Sequence, residues 1–351
     1  MHVDSPSVSA DRPIALAHGS RLLLDRVAAF EPLTSTPISR IHVSQRGGFG
    51  RTLIQASDYE VPALGYVAGQ DSIRAALANR AQTTPLVGRI VAWAPSRGGL
   101  SVRVRLPHGE DHEIHTRLLV LADGGLSSER ESGTDEMKTV DYGQSALVAQ
   151  VRTELPHRNM AYERFTDEGP LALLPHREGY ALVWCTTPEN AQDLCRSDDG
   201  DFLARLGATF GHRQGRFLAT GERHSFPLAL RYRKQSASPR VIPIGNAAQS
   251  LHPVGGQGLN LGLRDAWELA SSIRSHPDRW HDDNFSSAFT RQRQQDRRIE
   301  IGLTDTLVRV FSRPGSALAM ARGAMLLALD TLPPARQLLT HAMMVGARTG
   351  H

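Results

Sequence analysis

Residues 240–270 read RVIPIGNAAQSLHPVGGQGLNLGLRDAWELA, and this run restricts the fold more than any other part of the 351-residue chain. The residues before Gly245 form a short apolar strand, and those from Leu259 onward are rich in helix formers. The segment between them therefore joins a strand to a helix N-terminus. Such a junction leaves the N–H groups of the first helical turn without intrahelical partners, and glycines let a ligand touch the backbone without meeting a Cβ. Gly255, Gly256 and Gly258 supply that close approach, Pro253 stiffens the loop ahead of them, and Asn246 stands at the strand end. GGQG alone would be an ordinary turn. Placed after a strand and before Asn260, Gly262 and Asp265, it reads as a binding loop for an anionic or dipolar ligand.

Three zones surround this junction. The first, to residue 140, contains a helical pattern at 20–29, with Leu22, Leu23, Val27 and Phe30 at helical spacing, and another at 71–81. Three strand-like runs follow: LVGRIVAWA, GLSVRVRLP and HEIHTRLLVLADGG. The continuous apolar stretch LLVLA predicts a strand buried on both faces. The second zone, 141–235, is strand-rich with a helix at 201–208, and the third, 236–351, is helical beyond the junction. Strand-rich material between two α/β-like zones predicts an α/β fold with a discontinuous domain and a second domain inserted in it.

Composition narrows the function classes. A net charge of +4, spread without a basic run, excludes a nucleic-acid partner. The two cysteines, Cys185 and Cys195, form no CxxC pair, and no His/Cys cluster has zinc spacing, so neither a disulfide framework nor a metal is expected. Apolar runs fall short of the roughly 18 residues that span a bilayer, and no signal-peptide pattern opens the chain, which predicts a cytoplasmic protein.

A second motif pairs with the first. LLVLADGGLSSER, residues 118–130, ends a strand in Ala-Asp-Gly and continues to Ser127 and Arg130. Together the two segments resemble the Asp-Gly motif and the second flavin motif of the class A FAD-dependent aromatic monooxygenases, the para-hydroxybenzoate hydroxylase group. The match is to the branch that hydroxylates polyprenylated phenols in ubiquinone biosynthesis, and GNAAQ stands where most members have GDAAH. DRPIALAHGSRLLLDRV, ERFTDEGPLALLP and RQRQQDRRIEIGLTDTLVRVF extend the resemblance over nearly the whole chain. It implies a Rossmann-like, glutathione-reductase-type FAD-binding domain split between 1–140 and 236–351, a strand-rich substrate domain at 141–235, and C-terminal helices.

The resemblance also implies FAD as cofactor and NAD(P)H as co-substrate, with dioxygen activated on the flavin to hydroxylate a phenol ring. The flavin carries this chemistry, so no catalytic side chain is singled out, and His224 and His252 read as a strand-edge residue and part of the loop. The implied cofactor contacts are Arg12, Asp123, Gly124, Ser127, Arg130, Gly245, Asn246, Pro253, Gly255, Gly256, Gly258, Leu259 and Asn260. Pro170, Leu171, Leu173 and Pro175 of GPLALLP are the implied substrate-cavity wall. The family's opening GxGxxG turn has no counterpart here, since RGGFGR lacks the third glycine. Two expectations follow: a true start upstream of Met1, or a truncated, inactive homologue serving as a partner in a ubiquinone-synthesis assembly. A related hydroxylase with another phenolic substrate is a further alternative. Leu, Met and Ala at helical spacing over 315–350 predict either helices packed on the FAD domain or an interfacial pair touching the inner face of the cytoplasmic membrane. A Met-rich face of this kind also suits a polyprenyl tail.

Overall fold

Strands dominate up to residue 250, and helices carry the rest. The computed structural model describes residues 3–4, 12–124, 137–233, 239–250, 256–311 and 316–346. The first zone holds β1 (Val3–Asp4), β2 (Pro13–Ala17), α1 (His18–Arg26), β3 (Ser35–Ile38), β4 (Arg40–Gln45), β5 (Arg51–Gln55), β6 (Gly65–Gly69) and α2 (Gln70–Ala78). It continues with β7 (Leu86–Val87), β8 (Arg89–Ser96), β9 (Gly99–Arg105), β10 (Asp111–Thr116) and β11 (Leu119–Leu121). The second holds β12 (Met137–Thr153), β13 (Met160–Phe165), β14 (Pro170–His176), β15 (Gly179–Thr186), α3 (Pro188–Arg196), α4 (Asp199–Phe210), β16 (Phe217–Thr220) and β17 (His224–Arg233). The third holds β18 (Val241–Pro243), β19 (Gln249–Ser250), α5 (Gln257–Ser275), α6 (Asp283–Phe311), α7 (Ser316–Thr331) and α8 (Pro333–Val345).

A nine-stranded sheet runs β19-β17-β12-β15-β14-β13-β4-β5, with β16 also on β12. It draws β4, β5 and β19 from outside 141–235, because β13 pairs in parallel with β4. The strand-rich unit is therefore not contiguous in sequence. Successive side chains of each strand point to opposite faces. Leu147, Leu171, Leu173, Tyr180, Leu182 and Trp184 point to one side, where Leu194 of α3 and Phe202, Leu206 and Phe210 of α4 complete a core. Thr187 and Asp198 cap these two helices by accepting from the backbone N–H groups of Asn190 and Asp201. Val148, Ala172, Ala181 and Val183 point to the other side. Smaller side chains there leave open space.

The run HEIHTRLLVLADGG divides between two sheets. β10 closes the antiparallel meander β10-β9-β8, while β11 pairs in parallel with β18. Leu119 and Leu121 bury against Leu100, Val102 and Val104, but Val120 is 37% exposed. The expectation of burial on both faces thus fails, because the meander covers one side of β11 only. In α1 the buried apolar side chain is Leu24, and Leu22 and Val27 face outward. The helix sits one step round from the face read in the sequence.

α7 lies against β5, held by a bond from Thr52 Oγ1 to the carbonyl of Leu326 at 2.7 Å. Backbone meets backbone where it crosses Gly50: a Cβ on Gly50 would stand 2.3 Å from the carbonyl oxygen of Gly323. Among the described residues no helix is long and apolar enough to cross a membrane.

Candidate active site

β11 and β18 bring the two glycine motifs side by side. Their parallel pairing sets Leu119 beside Val241 and Leu121 beside Pro243, and the N–H of Ile244 donates to the carbonyl of Leu121 at 2.9 Å. Both carboxyl ends therefore face the same edge, which is where ligands of open α/β sheets bind. Asp123 and Gly124 leave one strand; Gly245 and Asn246 leave the other. Gly124 and Gly245 have φ of +74° and +56°, the left-handed region that favours glycine.

α5 begins directly over this edge. Its N-cap, Gly256, is left-handed, and no side chain caps the first turn. Further along, Gly262 lets the helix rest on the Gly245 turn, since a Cβ at Gly262 would lie 3.4 Å from the Gly245 Cα. Two polar residues of α5 fix the arrangement from behind. Asn260 Oδ1 accepts from the Ala17 N–H at 2.8 Å, and its amide donates to the carbonyls of Gly256 at 2.7 Å and Ala15 at 3.2 Å. Asn260 thus lines the cavity but spends its amide tying β2 to the helix. Asp265 is fully buried. It accepts from the Gly245 N–H at 3.1 Å and Gln249 Nε2 at 3.4 Å, and pairs with Arg293 at 2.8 Å and Arg297 at 3.5 Å. The arginines reach it from α6, 28 and 32 residues away. The sequence marks Asp265 as part of the motif; nothing local signals its partners.

A cavity of about 1190 Å³ opens from this edge. The small-residue face of the large sheet walls one side, and Met325, Leu326, Leu329, Leu339 and Met343 of α7 and α8 wall the other. The C-terminal helices therefore turn an apolar face inward. Their outward face leaves Met320, Leu327, Leu332 and Leu338 between 49% and 76% exposed.

Of the residues implied by resemblance, Arg12, Gly124, Gly245, Asn246, Gly256, Gly258, Leu259 and Asn260 line this one cavity. Arg12 is held with its guanidinium 4.2 Å over the Phe226 ring. Asp123 is half-buried between Ala122 and Gly124, both of which line the cavity. Ser127, Arg130, His252, Pro253 and Gly255 lie outside the described residues. The implied substrate wall needs correction: Pro170, Leu171, Leu173 and Pro175 do not line the cavity, and Leu171 and Leu173 belong to the opposite core. Ala172 and Leu174 of the same strand line it instead. For Leu171, Leu173 and Pro175 the error is one residue of phase, which along a strand is a change of face, whereas Pro170 shares the phase of Ala172 but lies at the end of β14, outside the lining.

Titratable groups mark both faces. On the core side His42 is 6% exposed, and burial, reinforced by Arg213, Arg51 and Arg164, lowers its pKa to about 4. On the cavity side Glu163 is driven the other way, up to about 7, by burial.

Comparisons with known proteins agree with this geometry. The family model described as FAD binding domain matches residues 55–295. The ubiquinone hydroxylase UbiL of Rhodospirillum rubrum is 30% identical over 341 residues, covering 94% of this chain and 78% of that protein. The 3-demethoxyubiquinol 3-hydroxylase of Escherichia coli K12 is 28% identical over 309 residues, covering 85% and 73%. The crystal structure of HpxO from Klebsiella pneumoniae complexed with FAD shares the fold with a TM-score of 0.72 at 14% identity, over 98% of this chain and 92% of that one.

Proposed function

Because the chain belongs to the FAD-binding domain family of flavin-dependent monooxygenases, we propose that it hydroxylates the ring of a polyprenylated phenol in ubiquinone biosynthesis, using NAD(P)H and dioxygen. The observation that carries this reading is the cavity of about 1190 Å³ that joins the glycine edge to the C-terminal helices. The described residues fit the cofactor. A Cβ on Gly124 would meet nothing within 4 Å, and one on Gly258 would approach only Asn246 Oδ1 at 4.0 Å, so both glycines leave a cradle that a side chain would fill. Asn246 is exposed at the cavity surface.

In this reading Asn246 holds a sugar-alcohol hydroxyl of the cofactor, and Arg12, Asp123 and Gly124 meet its polar chain, with Ser127, Arg130, Pro253 and Gly255 completing the contacts. Gly256, Gly258 and Leu259 present the N-terminus of α5 to the ring, where the helix dipole favours negative charge. When bound, FAD supplies electron transfer from NAD(P)H and the activation of dioxygen. The apolar sheet face and the helices α7 and α8 exclude water from the reacting ring. The polyprenyl tail runs along the Met and Leu wall of these two helices. The chain divides accordingly into FAD-binding parts at 1–140 and 236–351 and a substrate part at 141–235, with β4, β5 and β19 lent to its sheet. Met320, Leu327, Leu332 and Leu338 form a peripheral contact with the inner face of the cytoplasmic membrane.

Two measurements test this. The purified chain, titrated with FAD, is expected to take up the flavin and then to oxidise NAD(P)H faster when a prenylated phenol is added, with one oxygen atom gained by the phenol. A folded chain that takes up no FAD would instead favour a non-catalytic partner in a ubiquinone-synthesis assembly.

A further inference from the structure

Glu163 places a carboxyl group in the sheet wall of the cavity. Ala161, Glu163 and Phe165 of β13 line the cavity. The register sets Val43 of β4 on one side of Glu163 and Ala172 of β14 on the other. Val183 follows on β15, opposite Ala172, and Leu326 of α7 closes over Val43 and Phe165. The Glu163 side chain has no hydrogen bond or ion pair among the described residues, and it is half-buried with its remaining surface facing the cavity.

A carboxyl group so placed costs stability unless something in the cavity pairs with it. Burial alone accounts for its raised pKa of about 7, without a contribution from any charged side chain. Of the titratable groups on the packed elements, Cys185 of β15 is close enough to feel Glu163, and its own pKa is raised chiefly by burial. The other titratable residues of the cavity wall are Arg12, Glu222, His224, Arg336 and Tyr162, whose hydroxyl accepts a bond from Gln214 on the far face. The side chains that follow Glu163 across the sheet on β14 and β15, Ala172 and Val183, are aliphatic, and on the other side Val43 separates it from Thr52.

We propose that Glu163 is the anchor for a ring hydroxyl of the aromatic substrate, accepting a hydrogen bond from it and selecting phenols over aromatic rings that lack the group. The proposal rests on reading the cavity as an aromatic-substrate site. No covalent step is involved: the proton stays on the phenol oxygen, and the carboxylate oxygen accepts. Charge-assisted bonds are about twice as strong as neutral ones, so the preference for phenols grows as the carboxyl group ionises. A site built to pair with a hydroxyl leaves its own polar group unpaired when the ligand lacks one, and that is the source of the selectivity.

The test uses the full chain loaded with FAD and two probes, 2-propylphenol and propylbenzene, titrated calorimetrically between pH 5.5 and 8.5. At pH 8 the phenol is expected to bind about 10- to 100-fold more tightly than propylbenzene, and this ratio should shrink as pH falls through about 7. Glu163→Gln should remove the pH dependence and retain a smaller preference. Glu163→Leu should bring the ratio close to one without weakening propylbenzene. Both variants should unfold no more easily than the wild type at pH 8, since neither buries a charge. An unchanged ratio and pH profile in Glu163→Gln would overturn the anchor role while leaving the cavity as the aromatic site. If neither probe binds the wild type, the aromatic-site reading falls, and the anchor role falls with it.

Discussion

Replacing Asp265 with Asn isolates the charge that holds the cofactor edge together. The substitution keeps the side chain's shape and one acceptor oxygen, so the Gly245 N–H at 3.1 Å can still be satisfied. What disappears is the negative charge shared by Arg293 and Arg297, whose side chains are 5% and 9% exposed around a fully buried carboxylate. Breaking a buried pair by removing one partner costs about 3–5 kcal/mol, far more than the ~0–1 kcal/mol of a surface pair. Urea unfolding of Asp265→Asn should therefore show a loss of about 3–5 kcal/mol, little changed by salt because the pair is screened by protein and not by solvent. FAD uptake should also weaken, since the lost pairing with Arg293 and Arg297 loosens the joint between α6 and the Gly245 turn. Replacing Asp265, Arg293 and Arg297 together with Leu, Met and Met should recover much of the stability but not the FAD affinity. A single Asp265→Asn variant within about 1 kcal/mol of the wild type would refute the reasoning.

Other substitutions test the two faces of the large sheet and its contact with α7. Leu173→Ala should cost about 2–5 kcal/mol in urea while leaving phenol binding nearly unchanged, because Leu173 is buried in the core behind the cavity. Ala172→Phe should do the reverse, blocking phenol in the binding assay while changing the unfolding midpoint little. His42 should make the protein acid-sensitive. Its folded pKa of about 4 lies below the ordinary 6.5, so the unfolded chain binds more protons between those values. Stability should then fall by up to about 3 kcal/mol as pH drops from 6.5 to 4, and His42→Phe should flatten that part of the pH profile. Gly50→Ala, with φ at +87° and its Cβ 2.3 Å from a carbonyl oxygen, should lift α7 from β5 and speed proteolysis within 316–331.

The features legible in the sequence were those written in local pattern. A strand ending in Gly245 and an uncapped glycine start to α5 can be read from residue types alone, because only glycine tolerates those backbone angles cheaply. The phase of β14 is not legible in the sequence: Pro-Leu-Ala-Leu-Leu-Pro is apolar at every position, so alternation carries no signal. Size separates the faces only at Ala172, since the cavity face also carries Leu174 against Leu171 and Leu173 of the core face. Nor could Asp265 be matched with Arg293 and Arg297. They sit on a different helix amid many other arginines, and nothing but the packing of α6 on β18 and α5 selects them. Glu163 likewise stood in ERFTDEG among ordinary surface charges until the sheet register turned it inward.

The parallel pair β11–β18 sets a schedule for biosynthesis. Its two strands are about 120 residues apart in the chain. At roughly 5–20 residues per second, β11 emerges from the ribosome about 6–24 s before the strand it must pair with exists. Through that interval Leu119 and Leu121 have only the meander for cover, and the turn at Asp123 and Gly124 lacks the Gly245 turn beside it. The intervening antiparallel strands β13, β14 and β15 can pair with one another meanwhile, as their partners are already made. The glycine edge is thereby completed only as the last third of the chain is translated, so a ribosome stalled near residue 235 carries paired strands without the edge that β18 and α5 finish.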